Sequence, residues 1–280
     1  MDADLEIEAY QFKGLMQKFP AHFHDYYVIG FIEEGQRLLI CQGEETIINP
    51  GDLLLFNPFE IHSCAQIDGK TLDYRCLNIK NEIMEKVILE INGRADLPTF
   101  TQNVLFQSEL VASLKVLHEK ISNREDPLEK EELFYYFLEE LILTYSDLSI
   151  PPLPPSTSDQ IEASCIFLRE NYSKKLSLDI VSDISGWSKY HFLRTFTKEM
   201  GISPNSYLMT IRIHQAKEFL EQGDKPIDVA LATGFTDQSH FTKFFKSLIG
   251  LTPKQYMRIV NGTKDQNEEM SDVNGKFTSF

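Results

Sequence analysis

The stretch FLRTFTKEMGISPNSY, residues 192–207, is repeated in altered form as FTKFFKSLIGLTPKQY at residues 241–256. Five residues of the first stretch meet identical residues of the second at a single offset of 49 positions. Agreement at one fixed offset predicts a duplicated structural unit in the C-terminal part of the chain. The coinciding pairs are Phe192 and Phe241, Phe196 and Phe245, Gly201 and Gly250, Pro204 and Pro253, and Tyr207 and Tyr256.

Each copy of the repeat is predicted to be a helix–turn–helix. The short amphipathic segments SLDIVSDISG and PIDVALATG carry start signals, Ser177 as an N-cap and Pro226 at a first helical position, and both stop at a glycine. Glycine permits the left-handed backbone of a tight turn between two helices. Ser188 and Asp237 are suitable N-caps for the second helix of each unit.

The second helices are predicted to read DNA. Their phenylalanines recur at i and i+4 and therefore point into the core, while the opposite face is polar. Arg, Lys, Gln, Ser and Thr on such a helix suit base edges and phosphates in the major groove. The alternative is a plain helical bundle with a solvated charged face. The polar faces comprise Lys189, Tyr190, Arg194 and Thr197, with Leu193 beside them, and Gln238, Ser239, His240, Thr242, Lys243 and Lys246.

Between the units, residues 204–221 are predicted to form one continuous helix that ends before Gly223. Its length would be roughly 25 Å. Such a rigid spacer could hold two reading helices about one DNA turn apart, roughly 34 Å, so that one chain occupies two successive major grooves.

Residues 161–258 resemble the DNA-binding domain of the AraC/XylS transcription regulators, most clearly in DVALATGFTDQSHFTKFFKSLIGLTPKQY at 228–256. The resemblance implies double-stranded DNA as a partner, activation as the commoner outcome, and RNA polymerase as a further partner. Leu193 departs from the pattern, since a polar residue there would read a base, and it offers a contact to a thymine methyl instead. The positions implied as base contacts are Tyr190, Leu193, Arg194, Gln238, Ser239, His240, Thr242 and Lys243.

Charge and composition divide the chain. The net charge is −15, yet residues 161–260 hold 13 Lys and Arg against 10 Asp and Glu, so an anionic partner would suit that part alone. The proline-rich stretch SIPPLPPSTSDQ at 149–160 is typical of a linker. We therefore expect a sensing and dimerisation domain at 1–148, the linker at 149–160, a DNA-binding domain at 161–260 and a disordered polar tail at 261–280.

The expected fold class is α+β, with a small N-terminal β-barrel followed by helices and then the all-α domain. Short apolar runs at 26–32, 38–41, 46–48, 53–56 and 74–79 are separated by turn signals and predict strands. Helical periods follow from residue 81. In the last of these helices an apolar stripe would pack on the domain's own sheet or form a seam for a homodimer partner. Leu133, Phe134, Phe137, Leu138, Leu141 and Tyr145 form the stripe, with Glu132, Glu139 and Glu140 off it.

His22 and His24 would share a face if their stretch is a strand, and HFHDYYVIGFIEEGQ followed by INPGDLLLFNPFEIHSC resembles a cupin-type sensor. With His62, they could line an effector pocket, hold a metal or play a structural role. Metal-binding cupin enzymes usually add a glutamate where this chain has Val28 and Ile29. We therefore expect an effector pocket without metal or cofactor, a metal-dependent enzyme being the alternative and a protein-binding adaptor a third. The expected effector-binding residues are His22, His24, Tyr26, Phe56, Glu60 and His62.

The compartment is expected to be the cytoplasm. Four cysteines show no CxxC pairing, no run of 18 apolar residues is present, and the acidic start MDADLEIEAY is unlike a signal peptide.

Overall fold

A computed structural model describes residues 2–16, 18–67, 69–148, 158–258 and 260. Two antiparallel sheets form the N-terminal barrel, one with strand order β1-β8-β3-β6-β9 and the other with order β2-β7-β4-β5. The strands are β1 (Glu8–Leu15), β2 (Phe19–His22), β3 (Tyr26–Glu34), β4 (Arg37–Cys41), β5 (Glu44–Ile48), β6 (Leu53–Phe56), β7 (His62–Gln66), β8 (Leu72–Lys80) and β9 (Val104–Leu105).

Strand β3 lies at the centre of the larger sheet and is buried on both faces. Val28 and Ile32 point into the barrel, where they join a cluster that includes Leu54. Ile29 and Phe31 point the other way and pack under helices. This two-sided burial explains why the segment is almost continuously apolar instead of alternating. The expected barrel is confirmed, with its interior on one side of β3 and the helical layer on the other.

Three helices follow the barrel: α1 (Asn81–Asn92), α2 (Leu110–Ser122) and α3 (Pro127–Tyr145). The apolar stripe of α3 is buried within the chain, with Leu138 and Leu141 fully inaccessible. The stripe therefore packs within its own chain and does not form an exposed surface for a dimer partner. Glu132 and Glu139, expected off the stripe, are also buried at 5% and 6% exposure.

The C-terminal domain comprises the expected helices, and its predicted caps are confirmed. Ser177, Ser188 and Asp237 each accept a backbone N–H from three residues ahead, at 3.3, 3.2 and 2.8 Å. Pro226 opens its helix as predicted. The helices are α4 (Ser158–Glu170), α5 (Leu178–Ser185), α6 (Lys189–Met200), α7 (Pro204–Glu221), α8 (Pro226–Ala232) and α9 (Gln238–Ile249).

The continuous spacer helix is confirmed as α7, and it contributes to two separate cores. Leu208, near its start, packs with Phe192 and Phe196 of the first unit. Ile213 and Ala216, further along, pack with the apolar residues of the second unit. One helix therefore forms part of the core of both helix–turn–helix units.

The predicted linker and tail fall mainly on residues about which the structure is silent. Residues 149–157 and 261–280 lie outside the described part of the chain. Ser158–Glu170 is helical, so the last three residues assigned to the linker belong to α4 instead. Within the described residues, none of the helices is both long and apolar enough to cross a lipid bilayer.

Candidate DNA-reading surfaces and effector cavity

The second reading helix, α9, presents part of its predicted polar face to solvent. Gln238, Ser239 and Lys243 are exposed, and His240 and Thr242 are half-buried. The carboxylate of Asp237 caps the helix. A ring nitrogen of His240 and one carboxylate oxygen each of Glu125 and Glu129, which belong to the sensor domain, lie within 4.8 Å of one another. Three of the five predicted base-contacting side chains of α9 are therefore exposed and two are half-buried, and their contact with DNA stays a prediction.

The first reading helix, α6, differs from the prediction. Tyr190 is only 4% exposed and Leu193 is fully buried, so neither side chain can contact a base in this arrangement. Arg194 keeps 43% of its side chain exposed. The prediction of a free reading face on α6 is wrong for this state of the molecule because the sensor domain covers that face.

Glu139 of α3 holds the covered face. Its carboxylate accepts a hydrogen bond from the Tyr190 hydroxyl at 2.6 Å and lies 3.4 Å from the Arg194 guanidinium. One turn away, the hydroxyls of Tyr136 and Thr197 are 2.7 Å apart. Two of the predicted base-reading side chains are thus bound by a single acidic residue of the other domain.

Three more carboxylates of the sensor domain cap helices of the DNA-binding domain. Glu131 accepts the backbone N–H of Leu178 at the start of α5, at 2.5 Å. Glu132 accepts that of Asn205 at the start of α7, at 2.6 Å. Glu90 accepts the N–H of Lys189 at the start of α6, at 2.7 Å. The first N–H groups of a helix have no partner within the helix, so each of these hydrogen bonds favours the closed arrangement of the two domains.

The two capping glutamates of α3 have raised pKa values. Burial raises the pKa of Glu131 to about 7, against the lowering effect of its backbone hydrogen bond. Burial likewise raises the pKa of Glu132 to about 8. Their closed-state charge is therefore sensitive to pH near neutrality.

Sequence reasoning missed these carboxylates as functional residues. Glu132 and Glu139 were expected only to lie off the apolar stripe of α3, and Glu131 and Glu90 were not singled out. The available signal was the charge asymmetry between the acidic N-terminal domain and the mildly basic C-terminal domain. The asymmetry suggested an anionic partner for the C-terminal domain. In the structure the acidic N-terminal domain is itself such a partner.

The barrel encloses a cavity of about 350 Å³. Five of the six predicted effector-binding residues line it: His22, His24, Tyr26, Phe56 and His62. Glu60 is the exception and is a correction, because its carboxylate accepts hydrogen bonds from the backbone of Asn57 at 3.0 Å and from Asn103 at 2.7 Å. It fixes a loop beside the barrel.

Several lining residues were not anticipated. Tyr10 and Phe12 come from β1 and Phe19 from β2, two strands that the sequence reading did not identify. The alternating pattern of EAYQFKGL was the signal that could have found β1. Apart from Glu8 and the histidines, the described lining carries no charged or basic side chain, and it is largely aromatic and aliphatic.

The three histidines meet on the cavity wall. His22 ends β2 and pairs across the sheet with His62 of β7, whereas His24 lies just beyond the strand. The ring of His22 lies 4.9 Å from that of His24 and 4.5 Å from that of His62, centroid to centroid. Burial lowers the pKa of His24 and of His62, which favours neutral imidazoles in both.

Comparison with known proteins matches both halves of this architecture. A profile of the AraC-like ligand binding domain matches residues 5–138, and one of a helix-turn-helix domain matches residues 181–259. The HTH-type transcriptional regulator YbfI of Bacillus subtilis (strain 168) is 61% identical over 240 residues, which are 86% of this chain and 87% of YbfI. The chain belongs to the AraC/XylS family of transcription regulators. Its N-terminal half is the ligand-binding domain of that family, and its C-terminal half is the DNA-binding domain.

Two more distant similarities were found. An HTH-type transcriptional regulator of Staphylococcus aureus (strain COL) is 26% identical over 239 residues, which are 82% of this chain but only 31% of that protein. Among solved structures, ToxT from Vibrio cholerae O395 bound to (E)-4-(8-methylnaphthalen-1-yl)but-3-enoic acid is 18% identical, with 91% of this chain and 99% of that chain covered. The TM-score of this match is 0.39.

Proposed function

We propose that this regulator reads DNA with both helix–turn–helix units, senses a small molecule in its barrel, and is held inactive by the contact between α3 and α6. The observation that carries the proposal is the contrast between two equivalent helices. On α9, Gln238, Ser239 and Lys243 are exposed and only His240 lies beside carboxylates of the sensor domain, whereas on α6 Tyr190 and Leu193 are buried beneath that domain.

The DNA-reading role rests on the side chains of the two reading helices. In the second unit, Gln238, Ser239, His240, Thr242 and Lys243 would contact bases and phosphates in one major groove. In the first unit, Tyr190, Leu193 and Arg194 would do so in the next groove after release from α3. Since α7 shares the cores of both units, they would move together as one rigid body.

The sensing role rests on the cavity. Its volume of about 350 Å³ is in the range of small-molecule sites, and its lining combines an apolar body with few polar groups. His22, His24, Tyr26, Phe56 and His62 are the proposed effector contacts. A ligand can shift the balance of closed and open forms only if it binds one of them more tightly. We propose that the effector binds the open form better and so activates transcription, with RNA polymerase as the eventual partner.

The proposal includes a homodimer, action in the cytoplasm where the DNA lies, and no catalytic activity. Residues 1–148 would sense the ligand and mediate dimerisation, and residues 161–260 would bind DNA. The dimer surface would lie outside the α3 stripe, because that stripe is occupied within the chain. Sedimentation of the full chain at several concentrations measures the association directly.

Selection of bound fragments from a random DNA pool tests the function. The full chain should enrich one sequence, and binding to it should weaken steeply as salt rises, because phosphate contacts release counterions. Repeating the selection with candidate metabolites should identify one that increases the bound fraction. Failure to enrich any sequence, with or without metabolites, would contradict the proposed function.

A further inference from the structure

The three cavity histidines form one cluster of possible metal ligands. One ring nitrogen of each lies within 4.8 Å of those of the other two. In a tetrahedral zinc site with bonds of 2.0–2.1 Å, the donor atoms are about 3.3 Å apart. Small side-chain rotations would therefore bring the three nitrogens to bonding distance around a single ion.

Hydrogen bonds on the far side of two rings fix the free nitrogen. His22 Nδ1 lies 2.7 Å from the carbonyl oxygen of Pro20, and His62 Nδ1 lies 3.0 Å from that of Glu60. A carbonyl oxygen can only accept, so each Nδ1 carries a proton, and in the neutral imidazole the lone pair is then on Nε2. The same arrangement orients histidines that bind metals in proteins.

Aromatic neighbours hold the rings in place. The ring of His62 stacks on Phe56 at a centroid distance of 4.0 Å and an angle of 6°. The ring of His24 stacks on Tyr26 at 4.9 Å. Because these contacts limit the rings of His24 and His62 to small rotations, little ordering entropy remains to be lost when the three donors meet one ion.

We propose that His22, His24 and His62 bind one divalent transition-metal ion, with zinc as the best match, and leave a coordination position open to the cavity. Neutral imidazole suits zinc among the biological divalent ions. Three protein ligands with a fourth position for water or a ligand make an open site.

The metal would also supply the positive charge that the cavity lacks. The described lining contains no lysine or arginine, so an anionic group entering it would otherwise meet no cation. Three neutral ligands leave the ion its full charge of +2. Resting on the proposed sensing function, this assigns the effector to molecules with an apolar body and one carboxylate or similar oxygen donor that coordinates the ion.

Metal titration of the full-length protein tests the proposal. Chelator-treated protein is titrated with Zn²⁺ against a competing indicator, and metal content is measured after gel filtration. We expect one zinc per chain, and we expect His24→Ala and His62→Asn each to reduce the affinity at least 100-fold. His214→Ala removes an exposed histidine of α7 and is the matched control, with unchanged binding. Circular dichroism establishes that each variant is folded.

The open position is tested with Co²⁺ in place of zinc and benzoate as a probe. Benzoate should change the visible spectrum of the Co²⁺ protein and should leave that of folded His24→Ala, mixed with the same Co²⁺, unchanged. Absence of saturable zinc binding, or wild-type affinity in His24→Ala, would overturn the metal site. A benzoate-insensitive spectrum would overturn the open position. DNA selection with metal-free protein distinguishes failure of the metal site from failure of the proposed function. A protein that has lost DNA reading would still bind zinc.

Discussion

The substitution Glu139→Gln tests whether the sensor domain restrains the first reading helix. In the closed form this carboxylate binds the Tyr190 hydroxyl at 2.6 Å and lies 3.4 Å from the Arg194 guanidinium. The amide keeps the shape and one acceptor oxygen but loses the charge. Because Glu139 belongs to α3, the change removes no proposed DNA contact.

The expected effect follows from these two contacts. A hydrogen bond to a charged partner contributes about 1.5–3 kcal/mol and one between neutral groups about 0.5–1.5 kcal/mol, so the Tyr190 bond weakens by about 1 kcal/mol. The lost pair with Arg194 adds less than about 1 kcal/mol, because that side chain is 43% exposed. A total of about 1–2 kcal/mol increases the open fraction, and with it the apparent DNA affinity, roughly 5- to 30-fold.

Fluorescence anisotropy with the selected DNA at fixed salt measures this change. Glu140→Gln is the matched control, since it removes the same charge from the neighbouring, exposed position of α3. The control should bind as the wild type does. Equal affinities for Glu139→Gln and Glu140→Gln would refute the restraint, and a tighter-binding control would attribute the effect to general repulsion between the acidic domain and DNA.

Three further outcomes are expected. Lys243→Ala should weaken DNA binding and reduce the salt slope by about 1, whereas Lys115→Ala on α2 should change neither. Burial raises the pKa of Glu132 to about 8 from an ordinary 4.5, so the closed form retains a proton that the open form releases. Closing therefore becomes less favourable as pH rises between roughly 5 and 8, and DNA affinity should increase over that range. Glu132→Gln should reduce this dependence to the part that Glu131 contributes, since burial raises the pKa of Glu131 to about 7. Gly234→Ala should lower the free energy of unfolding by about 2–4 kcal/mol, because a left-handed φ of +85° is combined with a backbone oxygen 2.8 Å from the new Cβ. Gly201→Ala, at φ +73° with open space around it, should cost only about 1–2 kcal/mol in urea denaturation.

The C-terminal domain was predictable because its signals are local. Caps such as Ser188 and Asp237, and the phenylalanines at i and i+4, determine helix ends and buried faces within a few residues of chain. The duplication then showed which features are shared by both units. The continuous helix between them followed from the absence of any breaker before Gly223.

The relation between the domains was not predictable in the same way. Burial of Tyr190 and Leu193 depends on α3, about fifty residues away in sequence, and no local pattern encodes that contact. Short strands were missed for a related reason. Strands such as β2 and β9 hold four and two residues, too few for a period to be recognised, and are fixed by their neighbours in the sheet.

The histidine cluster was predicted in part. The spacing of His22 and His24 suggested two side chains on one face, and His62 was expected nearby. The prediction that Glu60 lines the cavity was wrong. Its carboxylate is hydrogen-bonded to Asn103, which lies far along the chain, and does not face the cavity. Contacts between residues this far apart in the chain cannot be predicted from local sequence patterns.

Chemical footprinting of the full chain on its selected DNA tests the central claim most directly. Two protected major-groove segments should be centred about 10 base pairs apart on one face of the duplex. Lys243→Ala should weaken protection of one segment and Arg194→Ala that of the other. A single protected segment, unaffected by Arg194→Ala, would contradict the account, because α6 would then stay covered by the sensor domain when DNA is bound.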